Sequence, residues 1–442
     1  MAGRSGPNHV LTKQIRIVEL AKRKRGAVLT TLAHHIDLQW MYTAYNRTRK
    51  DGAVGVDKVT AKEYAEYLNE NLKDLLERFK SGRYKAPPVR RAEIPKGKKT
   101  RKLGIPTFED KILQRAVVMV IEQVYEQDFY DFSYGYRPGK AQHQAIEVLW
   151  KFLMDCGDAW VLEMDIKGYF DHINHQHLRS FLDQRVKDGV IRRTIDKWLK
   201  AGICEEGRVI HPDEGTPQGG VISPLLSNIF LHEVLDKWFM EEVKPRMNCR
   251  AEMVRFADDA ILLFENEFDA KRIYSVIRKR FSQFELELHP EKTQLVHLEK
   301  PRTKSGKRGK NDGSKRSVNF LGFALHWGKS RRGTWVIKRK TSKKSLWKSL
   351  DKIGEWCRKN RHLKIKAQHE KLSRKLEGHY QYFGVTSNMR ALQSFFQGVK
   401  RIWKKWLNRR SQRRHLSWKK FYARLDRNPL PPPHIPKSIF KT

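Results

Sequence analysis

The apolar and polar positions divide the chain into a helical start, a mixed middle and a helical end. Over residues 13–76 apolar residues recur at helical spacing, broken at 51–57 by a glycine-rich turn. Residues 81–106 hold two short strands, 89–94 and 102–105, around a basic tip at 95–101. Residues 109–129 return to the helical period. Next come a strand at 160–166, a helix at 177–200, a Gly/Pro-rich turn at 215–220 and a helix at 225–240. Two apolar runs, 252–256 and 260–264, form a hairpin. A helix at 267–284 and strands at 293–298 and 318–325 follow, with a linking stretch at 300–317 too polar to bury. Beyond about residue 338 the pattern is all helix, and 429–436 is Pro-rich and extended. This order predicts an α+β fold with an antiparallel palm.

The hairpin carries the sharpest chemical signal. Asp258 and Asp259 sit side by side at its tip, where two like charges repel and a divalent cation offsets them. Asp165 ends the apolar run at 160–165. Three carboxylates on two strand ends suit the paired metal ions of a nucleotidyl transferase. The candidate metal set is Asp165, Ile166, Asp258 and Asp259, with the three aspartates catalytic and two Mg²⁺ ions as cofactor. An ordinary hairpin turn is the alternative.

Charge narrows the partner. The 442 residues carry a net charge of +41, which points to a polyanion. Residues 326–442 hold 33 Lys and Arg against 5 Asp and Glu, a net of +28. A membrane partner is not expected, since the apolar run at 116–121 is far short of the ~18 residues a spanning helix needs. Four dispersed cysteines without a Cys-x-x-Cys pair suggest free thiols in an intracellular protein, not a zinc site. His172, His175 and His177 are read as the polar start of a helix.

Ordered blocks along the chain resemble those of the bacterial group II intron reverse transcriptases (maturases). Residues 51–60 resemble the N-terminal extension block. Ile94-Pro95-Lys96 through Leu103-Gly104-Ile105-Pro106 resembles the fingers block. Ser133-Tyr134-Gly135-Tyr136-Arg137-Pro138-Gly139 and Asp165-Ile166-Lys167-Gly168-Tyr169-Phe170-Asp171 follow. Then come Gly215-Thr216-Pro217-Gln218-Gly219-Gly220, Phe256-Ala257-Asp258-Asp259 and Asn319-Phe320-Leu321-Gly322-Phe323. Gly378-His379-Tyr380-Gln381-Tyr382-Phe383-Gly384-Val385 resembles the thumb, or domain X. The match spans roughly 40–430.

The resemblance implies a right-hand polymerase of fingers, palm and thumb, with a basic helical thumb. The boundaries it suggests are an N-terminal extension at 1–80, fingers at 81–160, palm at 161–330, thumb at 331–428 and a Pro-rich tail at 429–442. The reverse transcriptase part would span about 81–325. Its implied activity is RNA-directed DNA synthesis together with intron RNA binding, splicing assistance and mobility. The implied partners are structured intron RNA, an RNA template with a DNA primer, deoxynucleoside triphosphates and target DNA, in a bacterial cytoplasm. Phe170 would crowd the sugar 2′ position, or else be a core aromatic. Gln218 would contact the nucleotide. Arg91, Lys96 and Arg101 would neutralise its triphosphate, or form a solvated basic turn. Lys292 matches a basic position beneath the hairpin, or else is a surface lysine. Lys400, Arg401, Lys404, Lys405, Arg409 and Arg410 would grip RNA phosphates, while most aromatics among them form a buried face. No nuclease segment is expected, and a DNA-binding tail from Ser411 is a candidate. Rival readings are a splicing cofactor with secondary polymerase activity, and a reverse transcriptase turned to DNA repair or phage defence.

Overall fold

The computed structural model describes residues 8–96, 99–205, 208–210, 215, 219–301, 317–410 and 415–436, without the side chains of 8, 95, 96 and 99. Helices α1 (Asn8–Arg23), α2 (Leu38–Arg47), α3 (Ala61–Glu66) and α4 (Leu68–Lys80) open the chain. The hairpin β1 (Val89–Lys96) and β2 (Lys99–Ile105) leads to α5 (Phe108–Tyr125) and α6 (Gln142–Cys156). Next are β3 (Ala159–Met164), α7 (His175–Asp183), α8 (Gly189–Lys200), β4 (Ile203–Glu205), β5 (Arg208–Ile210) and α9 (Ser223–Leu231). The hairpin β6 (Ala251–Phe256) and β7 (Asp259–Phe264), α10 (Glu267–Ser282) and β8 (Gln294–Leu298) follow. The chain continues through β9 (Val318–Phe320), β10 (Phe323–Lys329), β11 (Trp335–Thr341), α11 (Lys343–Lys359), α12 (Ile365–Phe383), α13 (Met389–Asn408) and α14 (Trp418–Arg427).

Among the described residues three sheets form, with strand orders β2-β1-β4-β5, β6-β7-β3-β8 and β11-β10-β9. Two compact units divide the chain. One comprises Met1–Ala145, Met164–Leu262 and Phe268–Gln294, the other Ile146–Glu163, Leu263–Glu267 and Leu295–Thr442.

Helix α5 is the centre of the first unit. Thr107 caps it by accepting from Asp110 N. Ile112, Leu113, Ala116, Val117, Val120, Ile121 and Val124 are all fully buried, because α1, α2 and α9 pack around it. Each large aliphatic side chain so buried contributes about 1.5–3 kcal/mol.

Several elements differ from the sequence reading. The helix expected at 177–200 is two helices. Asp188 breaks it, because one carboxylate oxygen caps α8 through Val190 N and Ile191 N. The other oxygen accepts from Leu32 N and Ala33 N. The helix expected at 225–240 widens into π-helical turns at His232–Asp236 and Trp238–Val243. The basic tip at 95–101 is mostly strand, so the β1–β2 hairpin is longer than expected. The strand expected at 318–325 is two strands, turned at Leu321 and Gly322, both at positive φ.

Helix α6 and strands β4 and β5 went unassigned in the sequence pattern, and β11 runs on to Thr341 where helix was expected from about residue 338. In β11 the run Lys338-Arg339-Lys340 hides the alternation. Arg339 occupies an inward position, buried with its guanidinium 5.2 Å from the Trp150 ring.

Candidate active site

Asp165 lies one residue past β3. The chain there stays extended against residues 287–289: His289 N donates to the Asp165 carbonyl at 2.7 Å, and Lys167 N donates to Glu287 O at 2.8 Å. Successive residues of an extended chain point their N–H and C=O to opposite edges. The Ile166 carbonyl therefore faces away from 287–289, towards the edge on which β7 lies. The Asp165 carboxylate itself is half-buried and accepts from Lys292 Nζ at 2.7 Å.

The tip between β6 and β7 is Ala257-Asp258, and Asp259 begins β7. Ala257 has φ +57°, a conformation that costs an L-residue about 1–2 kcal/mol. The surroundings hold it there. Arg255 Nη1 donates to the Ala257 carbonyl at 3.1 Å and to Asn228 Oδ1 at 3.0 Å. Asn228 Nδ2 donates in turn to the Gly135 carbonyl at 2.7 Å. A Cβ on Gly135 would lie 2.2 Å from Ala257 N, so only glycine allows this approach. The segment before Gly135 adds to the β6 edge through Tyr134 N to Arg255 O and Arg255 N to Phe132 O.

After Asp165, Gly168 turns the chain in the left-handed region, and a short 3₁₀ turn carries Tyr169 and Phe170. Tyr169 is buried and its hydroxyl donates to Ser227 O at 2.6 Å. Burial pushes that phenol far up, and the Asp258 carboxylate adds to the rise. Phe170 is only half-buried, beside Tyr169 at 5.5 Å between ring centroids, so it is not a closed core residue. Gln218 lies outside the described residues. The three histidines do not gather: His175 Nε2 meets the Gly215 carbonyl at 2.6 Å, while His177 stacks near Phe181.

One residue here had no role in the sequence reading. Tyr136 is 56% exposed at φ +59°, within the block 133–139. Partial burial raises its phenol, Asp258 raises it further, and Arg101 works against both. Tyr136 thus stands in the fields of the hairpin acids and of the fingers cation together.

Arg91 and Arg101 lie on opposite faces of the β1–β2 hairpin. Arg101 pairs with Ile94 across it. Arg91 is three residues from Ile94, so it lies on the opposite face, where its Nη1 donates to Glu205 Oε2 at 3.1 Å. Of Lys96, only the backbone is described.

In the second unit, α13 sorts the candidate RNA cations. Arg401, Lys405 and Arg409 recur every four residues and are exposed. Lys404 is not part of that face. It is 7% exposed, its ammonium 4.4 Å from the Trp418 ring centroid. Lys400 sits over Tyr422 and Phe396. Arg410 is exposed at the helix end. Trp403 and Phe421 are buried as expected, whereas Trp418 and Tyr422 are more than 40% exposed.

Among the described residues no three acidic, His or Cys side chains form a ready-made metal cage. Magnesium rarely needs one at a nucleotide site, where one or two carboxylates combine with substrate phosphates and water. The oxygen donors of Asp165, Asp258 and Asp259 and the turned-out Ile166 carbonyl fit a divalent ion on those terms. No helix among the described residues is long and apolar enough to cross a membrane.

Comparison with known proteins places the chain in a family. Residues 94–325 match the family model "Reverse transcriptase (RNA-dependent DNA polymerase)". Protein YkfC of Escherichia coli is 33% identical over 313 residues, covering 63% of this chain and 77% of that protein. The group II intron-encoded protein LtrA of Lactococcus lactis is 39% identical over 202 residues, 45% of this chain but only 33% of its own length. Nuclear intron maturase 3 of Arabidopsis thaliana is 28% identical over 164 residues, 36% of this chain and 21% of that protein. With the family match spanning more than half of its length, the chain belongs to the reverse transcriptase family of RNA-directed DNA polymerases, among the group II intron reverse transcriptases and maturases.

Proposed function

We propose that the chain copies RNA into DNA with two Mg²⁺ ions held by Asp165, Asp258, Asp259 and the Ile166 carbonyl. The observation that supports this is that β3, which Asp165 follows, and β7, which Asp259 begins, are neighbouring strands of one sheet. The metals, when bound, activate the primer 3′-hydroxyl and steady the leaving pyrophosphate. Phe170 excludes a ribose 2′-hydroxyl, and Gln218 contacts the nucleotide. Arg101 and Lys96 face the triphosphate from the fingers. Arg91, held by Glu205, serves the hairpin instead. In this reading residues 81–160 are fingers, 161–330 palm and 331–428 thumb.

The template is the chain's own group II intron RNA, which it also binds to assist splicing, in the bacterial cytoplasm and on target DNA during mobility. The net +28 of residues 326–442 supports this partner, because such charge binds phosphates with little sequence preference. The same charge favours a second reading, in which splicing is the main role and polymerisation secondary.

Primer extension on an RNA template, with Mg²⁺ and deoxynucleotides, tests the polymerase reading. Asp258→Ala should abolish product, and undiminished synthesis would refute the metal assignment. The same variant should still bind intron RNA and support splicing. Loss of intron binding by the parent chain at moderate salt would remove the maturase role.

A further inference from the structure

Gln114, buried on α5, uses both ends of its amide. Its Nε2 donates to Asp110 Oδ2 at 3.0 Å. Its Oε1 accepts from Val221 N at 2.7 Å and Ile222 N at 3.3 Å. Only the oxygen end can meet two N–H donors, and Asp110 fixes that orientation because a carboxylate accepts only from the nitrogen end. Asp110 is held in turn by Trp198 Nε1 at 2.6 Å and by the Tyr84 hydroxyl, both donating to Oδ1. Burial pushes the Asp110 carboxyl up to about 6, with the three donated hydrogen bonds opposing that rise, so it is ionised above neutrality.

The space beside this network is about 10 Å³, room for no more than a water. The network is therefore a support and not a ligand site. What it supports lies directly ahead of Val221. A Cβ on Gly219 would lie 2.6 Å from the Gly104 carbonyl of β2. On the other flank, Gly215 presses against the Phe170 and Asp171 carbonyls and is held by Ile173 O and His175. Gly215 and residues 219–222, the described residues on either side of Gln218 in the sequence, are thus pinned, one by the Phe170 segment and the other by Gln114.

We propose that Gln114, oriented by Asp110, is a positioning residue for nucleotide capture: it seats residues 219–222 against β2 and so sets the affinity for the incoming deoxynucleoside triphosphate. The inference rests on the reading of Phe170 and Gln218 as nucleotide contacts.

Steady-state primer extension by the full chain separates KM for the nucleotide from kcat. Gln114→Met keeps the length and removes the acceptor. Asp110→Asn keeps the shape but presents an NH₂ to Gln114, which turns the amide so that donors face Val221 N and Ile222 N. Each should raise KM about ten-fold, with a smaller change in kcat. The double variant should be no worse than Gln114→Met, because Asp110 acts through Gln114. A KM within about two-fold of the parent, in a variant that melts like the parent, overturns the proposal, and so does additivity in the double variant. Should Gln114→Met fail to fold, Asp110→Asn decides by the same criterion. A parent chain that extends no primer sinks the underlying polymerase reading instead.

Discussion

Arg255 and Asp236 meet with no solvent exposure on either side chain, joined by two hydrogen bonds of 2.8 and 2.5 Å. Burial alone would raise the Asp236 carboxyl, but Arg255 and His232 more than offset it and hold it below its ordinary value. The π-helical stretch that carries Asp236 thereby anchors the guanidinium that supports the Ala257 carbonyl, one residue from Asp258. The hairpin and the π-helical stretch are thus tied together through one guanidinium.

Breaking that pair should be costly. Asp236→Ala leaves a buried, uncompensated guanidinium, and removing one partner of such a pair costs about 3–5 kcal/mol. Urea denaturation should show a loss of that order. The double change Arg255→Met with Asp236→Leu should recover much of the stability, since a packed apolar pair often replaces a buried ion pair. It should not recover primer extension, because Ala257 O has lost its donor. A double variant as active as the parent would show that the tip needs no such support.

The hairpin acids were legible in the sequence because a strand, two acids and a strand leave few other geometries. Their support was not. Arg255 looks like a polar interruption of an apolar strand, and its partners Asp236 and Asn228, with Gly135 beyond Asn228, lie 19 or more residues away in sequence. The two-helix break at Asp188 was hidden for a related reason: apolar Val186 and Ile191 continue the helical period across it. Helix α6 was missed although Ala145, Ile146, Leu149, Phe152 and Leu153 carry a clean helical spacing. The opposed faces of Arg91 and Arg101 follow from the hairpin register, which the sequence leaves open until the turn is known.

Lys292 holds Asp165 where a metal ion would compete for the same oxygen. The lysine is 51% and the aspartate 33% exposed, so the pair is worth at most about 1 kcal/mol. Lys292→Met should lower the Mg²⁺ concentration for half-maximal extension by up to about five-fold. A variant with unchanged Mg²⁺ dependence but a raised nucleotide KM would instead assign the lysine to the triphosphate.

The cations of α13 should separate into two classes. Replacing Arg401, Lys405 and Arg409 by Ala should weaken RNA binding and reduce its logarithmic salt slope by about 2–3, roughly 0.7–0.9 for each phosphate no longer neutralised. Stability should hardly change. Lys404→Ala should leave the slope alone and lower stability by about 1–2 kcal/mol, because the ammonium and its stem pack over Trp418. A salt slope that falls with Lys404→Ala would place that ammonium on RNA after all.

His379 gives the second unit a dependence on pH. It is 8% exposed, stacked on Phe395 with ring centroids 3.6 Å apart, and Nε2 has no hydrogen-bond partner. Burial lowers its pKa from 6.5 to about 4. Between those values the unfolded chain binds a proton that the folded chain refuses, so stability rises with pH across the interval. Its contribution is complete above pH 6.5 and is lost as pH falls towards 4, by an amount of order 3 kcal/mol. His379→Phe keeps an aromatic ring on Phe395 and removes the titrating group. Denaturant midpoints measured from pH 7 to pH 4 should therefore fall less steeply in the variant than in the parent. Parallel curves would mean that the folded chain admits the proton, with water reaching Nε2.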